Sequence, residues 1–226
     1  MWPTSLLRGG KRHGSAPKRP GFRPTLEALE DRCVPSTLTV TNNLDSGKGS
    51  LRYEIARAEK SAAGKDTIVF APSLDGQTIT LTSGELYITT ALTIQGPGAS
   101  KLTISGDNSS RVFDVALNVN VALSGLTISN GFAVHDGGGI YNLGYLSVSR
   151  CVISANQADY GGGIYNNNTL SVSGCVVSNN LANFAGGGIY NGVNAPELIV
   201  SNSLFTNNHA DNIYGPYTDE GGNIFN

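Results

Sequence analysis

Apolar and polar positions alternate along this chain in bursts of only three to five residues, and the bursts recur. GGGIYN stands at residues 137–142, 161–166 and 186–191, a near-constant period, and GGNIFN at 221–226 reads as a fourth copy. Between the copies lie LSVSRCVISAN from Leu146, LSVSGCVVSNN from Leu170 and LIVSNSLFTNN from Leu198, with VALSGLTISN from Val121 as an earlier relative. Each repeat therefore offers three short strand-like pieces, Gly-Ile-Tyr, Leu-x-Val and Cys-x-Ile, punctuated by Gly and Asn.

A repeat this short cannot bury a hydrophobic face alone, so neighbouring repeats must stack. Three strands per period predict one coil of a right-handed parallel β-helix, an all-β, pectate-lyase-like solenoid in which each strand pairs with its copies above and below. Alternation assigns the faces. Ile140, Ile164, Ile189 and Ile224 point inward, with Leu146, Leu170 and Leu198, Val148, Val172 and Val200, and Ile153, Val177 and Phe205. Tyr141, Tyr165, Tyr190 and Phe225 fall on the outer face as an aromatic ladder. The rival solenoid, a leucine-rich repeat, needs a convex segment that these Gly-Asn turns do not provide.

Upstream, short apolar pieces from Ile68 to Leu123 predict less regular earlier coils, about six in all over residues 66–226. One segment departs from the period of two. SLRYEIARAEK, residues 50–60, spaces Leu51, Ile55 and Ala58 as a helix does, with Ser50 as N-cap, and predicts a single capping helix over the open end of the core.

Composition supports turns over helices: 29 of 226 residues are Gly, and only 14% are charged. Charge is divided unevenly. Residues 1–36 carry seven Lys or Arg against three acids, and residues 37–226 carry eight against fourteen. No Lys or Arg follows Arg150, so the body offers no basic surface and nucleic acid is excluded as a partner. No apolar run is long enough for a transmembrane helix. Residues 1–36 form a basic segment with no apolar period, expected to be a disordered leader, either a solvated tail or a targeting element. The β-helix body is then 37–226.

Within that leader TLEALEDRCVPS, residues 25–36, resembles the L-E-x-L-E-D-R-x-x-P-S segment of predicted surface or exported proteins of planctomycete-type bacteria. Gly49, Ser50, Leu51, Arg52, Glu54 and Ile55 resemble the CSLREA-type motif in the first coil of bacterial surface β-helix proteins. The repeats are similar to those of chlamydial polymorphic outer membrane proteins, with Phe205–Asn208 as a literal F-x-x-N. The resemblance implies an exported, extracellular or cell-surface protein, non-enzymatic, adhesin-like or structural, binding a cell-surface protein or polysaccharide through the outer face of the rod. The alternative is a carbohydrate-active enzyme, a lyase or hydrolase, or a lectin-like module, because this fold hosts many functions.

Candidate chemistry is sparse. Asp136 and Asp159 precede the glycine blocks and are expected to stack on one row of turns, the candidate ligands of a calcium ion, although two acids supply too few oxygens alone; Asp219 and Glu220 sit similarly. No other cofactor and no catalytic residue is expected. His135 and His209 lack partners at metal spacing. Asn142, Asn166 and Asn191 repeat at one turn, and Asn156, Asn180 and Asn208 at another, which predicts hydrogen-bonded ladders along the rod, with carbohydrate contact as the alternative. Cys151 and Cys175 share one inward position in adjacent coils, as buried thiols or as a disulfide; Cys33 lies in the leader. With GGNIFN as the first strand of a new coil, the C-terminal end exposes Ile224 and unpaired strand groups. That arrangement predicts self-association or a partner there, or a truncated reading frame.

Overall fold

The computed structural model describes residues 35–61 and 64–226. The leader assignment up to residue 34, with the targeting motif and Cys33, lies outside the described residues. At its edge, the Ser36 backbone N–H and hydroxyl donate to Asp66 Oδ1 at 2.7 and 3.0 Å, so this residue is already tied to the body.

The body is a parallel β-helix. Its first sheet has eight strands, Thr37–Val40, Asp66–Phe70, Leu92–Gln95, Asn120–Ser124, Tyr145–Ser149, Thr169–Ser173, Glu197–Ser201 and Thr218–Asp219. The second has seven, Gln77–Thr80, Leu102–Ser105, Thr127–Ser129, Val152–Ser154, Val176–Ser178, Leu204–Thr206 and Ile224–Phe225. The third has six, Leu86–Ile88, Phe113–Val115, Ile140–Asn142, Ile164–Asn166, Ile189–Asn191 and Ile213–Tyr214. From Asp66 the chain visits first, second and third sheet in strict rotation, completing six such coils by Tyr214. Pairing within these sheets is parallel and in register, as Ile140 opposite Ile164 and Ile164 opposite Ile189 illustrate.

Identical or similarly apolar residues therefore stack on one another through the core. The columns Leu146–Leu170–Leu198, Val148–Val172–Val200, Ile153–Val177–Phe205 and Ile140–Ile164–Ile189 are all at most 3% exposed. Burying such aliphatic side chains contributes about 1.5–3 kcal/mol each, the main stabilising term of the rod. In four successive coils the turn between first and second sheet passes through one left-handed residue, Gly125, Arg150, Gly174 and Asn202. Glycine is obligatory where GGGIYN begins: Gly137, Gly161 and Gly186 have φ of 64–66°, and a Cβ there would lie within 2.6 Å of the following isoleucine carbonyl.

The helix is Leu51–Ala58. Ser50 Oγ accepts the Tyr53 N–H, Leu51, Ile55 and Ala58 are buried, and the helix packs on the first two strands of the first sheet. Arg52 extends from it to donate to the Gly84 and Glu85 carbonyls at 2.6 and 2.7 Å while pairing with Asp45 at 2.8 Å. The Ser-Leu-Arg stretch is thus a clamp that fixes the entry to the first strand of the third sheet.

Two sequence expectations change. GGNIFN is not a further GGGIYN: Ile224 pairs with Leu204 and Phe225 with Phe205, which places the segment in the second sheet. Ile224 is accordingly outward and 56% exposed, and the Phe225 ring stacks on Phe205 at 5.1 Å. The rung above Ile189 and Tyr190 is taken by Ile213 and Tyr214, which follow them by one period of the repeat. The partial coil that follows carries a polar network in which Asn223 Nδ2 donates to Asp219 Oδ1 and to the Val200 carbonyl, and Asn223 Oδ1 accepts the Ser203 N–H. The second change is an addition: Gln157–Tyr160 and Leu181–Ala185 form a fourth, two-stranded sheet between the second and third.

Candidate functional site on the third sheet

The outer face of the third sheet carries one column of aligned residues, Tyr87, Asp114, Tyr141, Tyr165, Tyr190 and Tyr214. Parallel in-register pairing puts identical rings one coil apart, and the last four stack with centroids 5.3, 5.0 and 5.0 Å apart and planes inclined by 27°, 9° and 10°. Phe225, expected in this ladder, lies on another sheet, and Tyr214 takes the place.

Stacking decides what the ladder can offer a ligand. The faces of Tyr165 and Tyr190 are spent on their neighbours and those of Tyr141 on Tyr165 and Arg111, so these rings offer edges and hydroxyls. Among the described residues these hydroxyls have no protein partner. Burial raises the Tyr141, Tyr165 and Tyr190 pKa values, with neighbouring Asp136 adding to the effect in each, and Tyr165 reaches about 12. Tyr141, Tyr165 and Tyr190 therefore stay neutral and able to donate across the physiological range.

The N-terminal end of the ladder is closed by Arg111, whose guanidinium lies 4.8 Å from the Tyr141 ring centroid. Arg111 is fixed on four sides. Nε donates to the Gly137 carbonyl at 2.8 Å and Nη2 to the Asp136 carbonyl at 2.7 Å, while Nη1 meets Glu85 at 2.9 Å and Asp114 at 3.3 Å. Asp114 is pushed up to about 6, by burial first; Arg111 opposes this, and the charge and hydrogen bond of Glu85 reinforce it. Both carboxyl groups lie against one guanidinium. Asp136 is also raised by burial, against the pull of His135 and Arg111.

Beside the ladder the two-stranded sheet brings up a second aromatic group. Tyr160 lies 5.2 Å from both Phe184 and Tyr190, edge-on to the latter. Phe184 is 64% exposed.

The candidate calcium ligands are not on one rung. Asp136 is opposite Tyr160, so Asp159 is offset by one position; its carboxylate accepts from Asn183 at 2.7 Å and stands 3.9 Å from His135 Nδ1. Among the described residues no three His, Cys, Asp or Glu side chains are grouped to hold a metal. Asp219 and Glu220 lie on the last coil, remote in register from both.

The asparagines form two buried ladders. Asn142 Nδ2 donates to Asn166 Oδ1 and Asn166 Nδ2 to Asn191 Oδ1, both at 2.7 Å, and Asn191 ends the series on the Pro216 carbonyl. Asn156 donates to Asn180 at 2.9 Å and Asn180 to Asn208 at 3.0 Å. All but Asn208 are fully buried, which leaves them no surface for a glycan. Cys151 and Cys175 are free, buried thiols raised by burial to about 11 and 12, with the Cys151 N–H directed at Cys175 Sγ.

A shallow hollow of about 370 Å³ on the first sheet has a floor of Thr93, Ala122, Ser147 and Ser171. Among the described residues Lys65 is its only charged lining residue. Among the described residues no helix is long and apolar enough to cross a membrane. No protein family, curated protein or solved structure compared with the chain matches it.

Proposed function

We propose that this chain is a non-enzymatic, exported β-helix of the cell surface, adhesin-like or structural, that engages a cell-surface protein or polysaccharide through the outer face of its third sheet. The carrying observation is the ladder of Tyr141, Tyr165, Tyr190 and Tyr214. Four aligned rings with free hydroxyl edges stand beside the exposed Tyr160 and Phe184, on a scaffold whose interior columns are fully packed. A rigid row of neutral donors at the coil repeat suits a partner that is itself extended and repetitive. The CSLREA-type stretch at 49–55, the similarity of the coils to chlamydial surface repeats, and the LEALEDR segment support export by a route the leader would specify. The acidic body disfavours nucleic acid and acidic polysaccharide alike.

A second reading, a glycan-cleaving enzyme, is favoured by one observation. Asp114 holds a proton to about pH 6 beside Glu85, as a general acid next to a carboxylate would. Arg111, bonded to both acids and to two backbone carbonyls, gives the pair a structural use instead. One experiment separates the readings: purified protein is offered neutral and acidic polysaccharides with and without calcium, and attachment to intact cells is measured in parallel. The surface-protein reading expects attachment weakened by Tyr190→Ser and no release of reducing or unsaturated ends. Release that disappears in Asp114→Asn would establish the enzyme.

A further inference from the structure

The fourth sheet is where one coil differs from the next. The strand Gln157–Tyr160 faces the longer strand Leu181–Ala185, and the register slips between the pair Ala158 and Ala182 and the pair Tyr160 and Ala185. This is a bulge, and bulges re-aim side chains. Ala182 and Ala185 are buried, so both residues between them, Asn183 and Phe184, are turned outward together. On the facing strand Ala158 is buried while Asp159 and Tyr160 reach the surface.

The outcome is a compact arrangement of two kinds of group. Asn183 Nδ2 donates to Asp159 Oδ1 at 2.7 Å, leaving Oδ2, 3.9 Å from His135 Nδ1, and the Asn183 carbonyl oxygen as outward acceptors. Next to them the Phe184 ring is 64% exposed and touches Tyr160 only at a tilt of 33°, so one of its faces is free, unlike the faces within the ladder. A phenyl ring has no polar atom to satisfy in water, so covering its exposed face with an apolar surface would be favourable.

We propose that Phe184, with Tyr160, Asp159 and Asn183, is a binding site for a neutral pyranose, the Phe184 ring covering the apolar C–H face of the sugar and the Asp159–Asn183 pair taking two of its hydroxyls. This rests on the outer-face reading above and names its ligand class. A sugar ring is amphipathic in the way this site is: one apolar face, and a rim of hydroxyls that both donate and accept. Charge selects the neutral class. No Lys or Arg follows Arg150, Asp159 is part of the site and Asp136 lies opposite Tyr160, while the one guanidinium in reach of Asp136, that of Arg111, is already bonded to Glu85, Asp114 and two backbone carbonyls, so a uronate or sialic acid would meet net repulsion. A protein partner needs about 800 Å² on each side, more than this cluster presents by itself.

The test uses the full chain on a panel of immobilised oligosaccharides, neutral hexose polymers in one arm and uronic-acid or sialylated chains in the other. Affinity for hits is then measured by calorimetry. Binding to neutral glycans is expected, with a loss of about tenfold or more in Phe184→Ala and in Asp159→Ala, retention in Phe184→Trp, and unchanged far-ultraviolet circular dichroism in each. Absence of neutral-glycan binding, equal binding by Phe184→Ala, or a preference for acidic chains would overturn the proposal. Attachment to intact cells distinguishes the levels. Attachment lost in Phe184→Ala and in protease-treated cells, with no glycan bound, makes the occupant a protein and sinks the saccharide inference alone. Attachment indifferent to Phe184 and Tyr190 sinks the outer-face reading as well.

Discussion

Replacing Asn166 probes the least replaceable part of the scaffold, because its amide is fully buried and committed on every side. Its Oδ1 accepts from Asn142 at 2.7 Å, and its Nδ2 donates to Asn191 Oδ1 and to the Asn168 carbonyl, each at 2.7 Å. Asn166→Ala removes three short hydrogen bonds at about 1 kcal/mol net each. It also leaves the buried Asn191 Oδ1 without its donor, a further ~1–3 kcal/mol. The expected loss is about 4–6 kcal/mol, comparable to the whole stability of a marginal domain. Asn142 is spared a full penalty because its Nδ2 keeps the Thr169 carbonyl at 3.0 Å. Asn166→Asp keeps the shape but turns a donor into an acceptor facing two acceptors. Burial then raises the pKa of the new carboxyl above its unfolded value. The raised folded value means that the variant is least impaired at low pH and loses stability as pH rises through that pKa. Urea unfolding followed by circular dichroism at pH 4.5 and 8 reads both effects, with the adjacent, exposed Asn167→Ala as control. Midpoints for Asn166→Ala and Asn167→Ala that agree within error, or an Asn166→Asp midpoint independent of pH, would refute the ladder as a stabilising element.

Asp114 should titrate near pH 6 by carbon-detected NMR and at lower pH in Glu85→Gln; because its folded pKa is raised, the stability it contributes is complete below about pH 4 and lost as pH rises through 6, and Asp114→Asn should flatten that slope. Peptide mapping after iodoacetamide should find Cys151 and Cys175 unmodified in the native protein at pH 8 and alkylated after denaturation, since thiols with pKa values of about 11 and 12 are neither ionised nor accessible; rapid native labelling would contradict their placement. Tyr165→Ser removes two ring stacks and should cost about 1–3 kcal/mol, whereas Ile164→Asp buries an unpaired charge and should abolish cooperative unfolding. Equal losses in those two variants would reverse the assigned faces.

The interior and both asparagine ladders are legible in the sequence because parallel in-register pairing makes spatial neighbours of residues one period apart. Ile140, Ile164 and Ile189 recur at that period and stack as the spacing implies. GGNIFN misleads because its letters resemble the repeat while its spacing does not. Tyr214 follows Tyr190 by one period and fills the ladder, whereas Gly221 follows Gly186 by well over one and falls on another sheet. The bulge leaves its signature in the same arithmetic: the one extra residue between the second and third GGGIYN blocks is the one that turns Phe184 outward. Glu85, Arg111 and Asp114 cannot be found this way. They sit in coils without a recurring phrase, and their meeting depends on the Arg52 clamp and on a side chain reaching across rungs.

Exposure of the folded rod outside the cell is the claim on which the functional account stands. A membrane-impermeant amine reagent applied to intact cells tests it, read by mass spectrometry at Lys48 and Lys101, both solvent-exposed on the body. Both lysines are expected to be labelled on intact cells to the extent reached after lysis; labelling only after lysis would contradict exposure of the rod outside the cell.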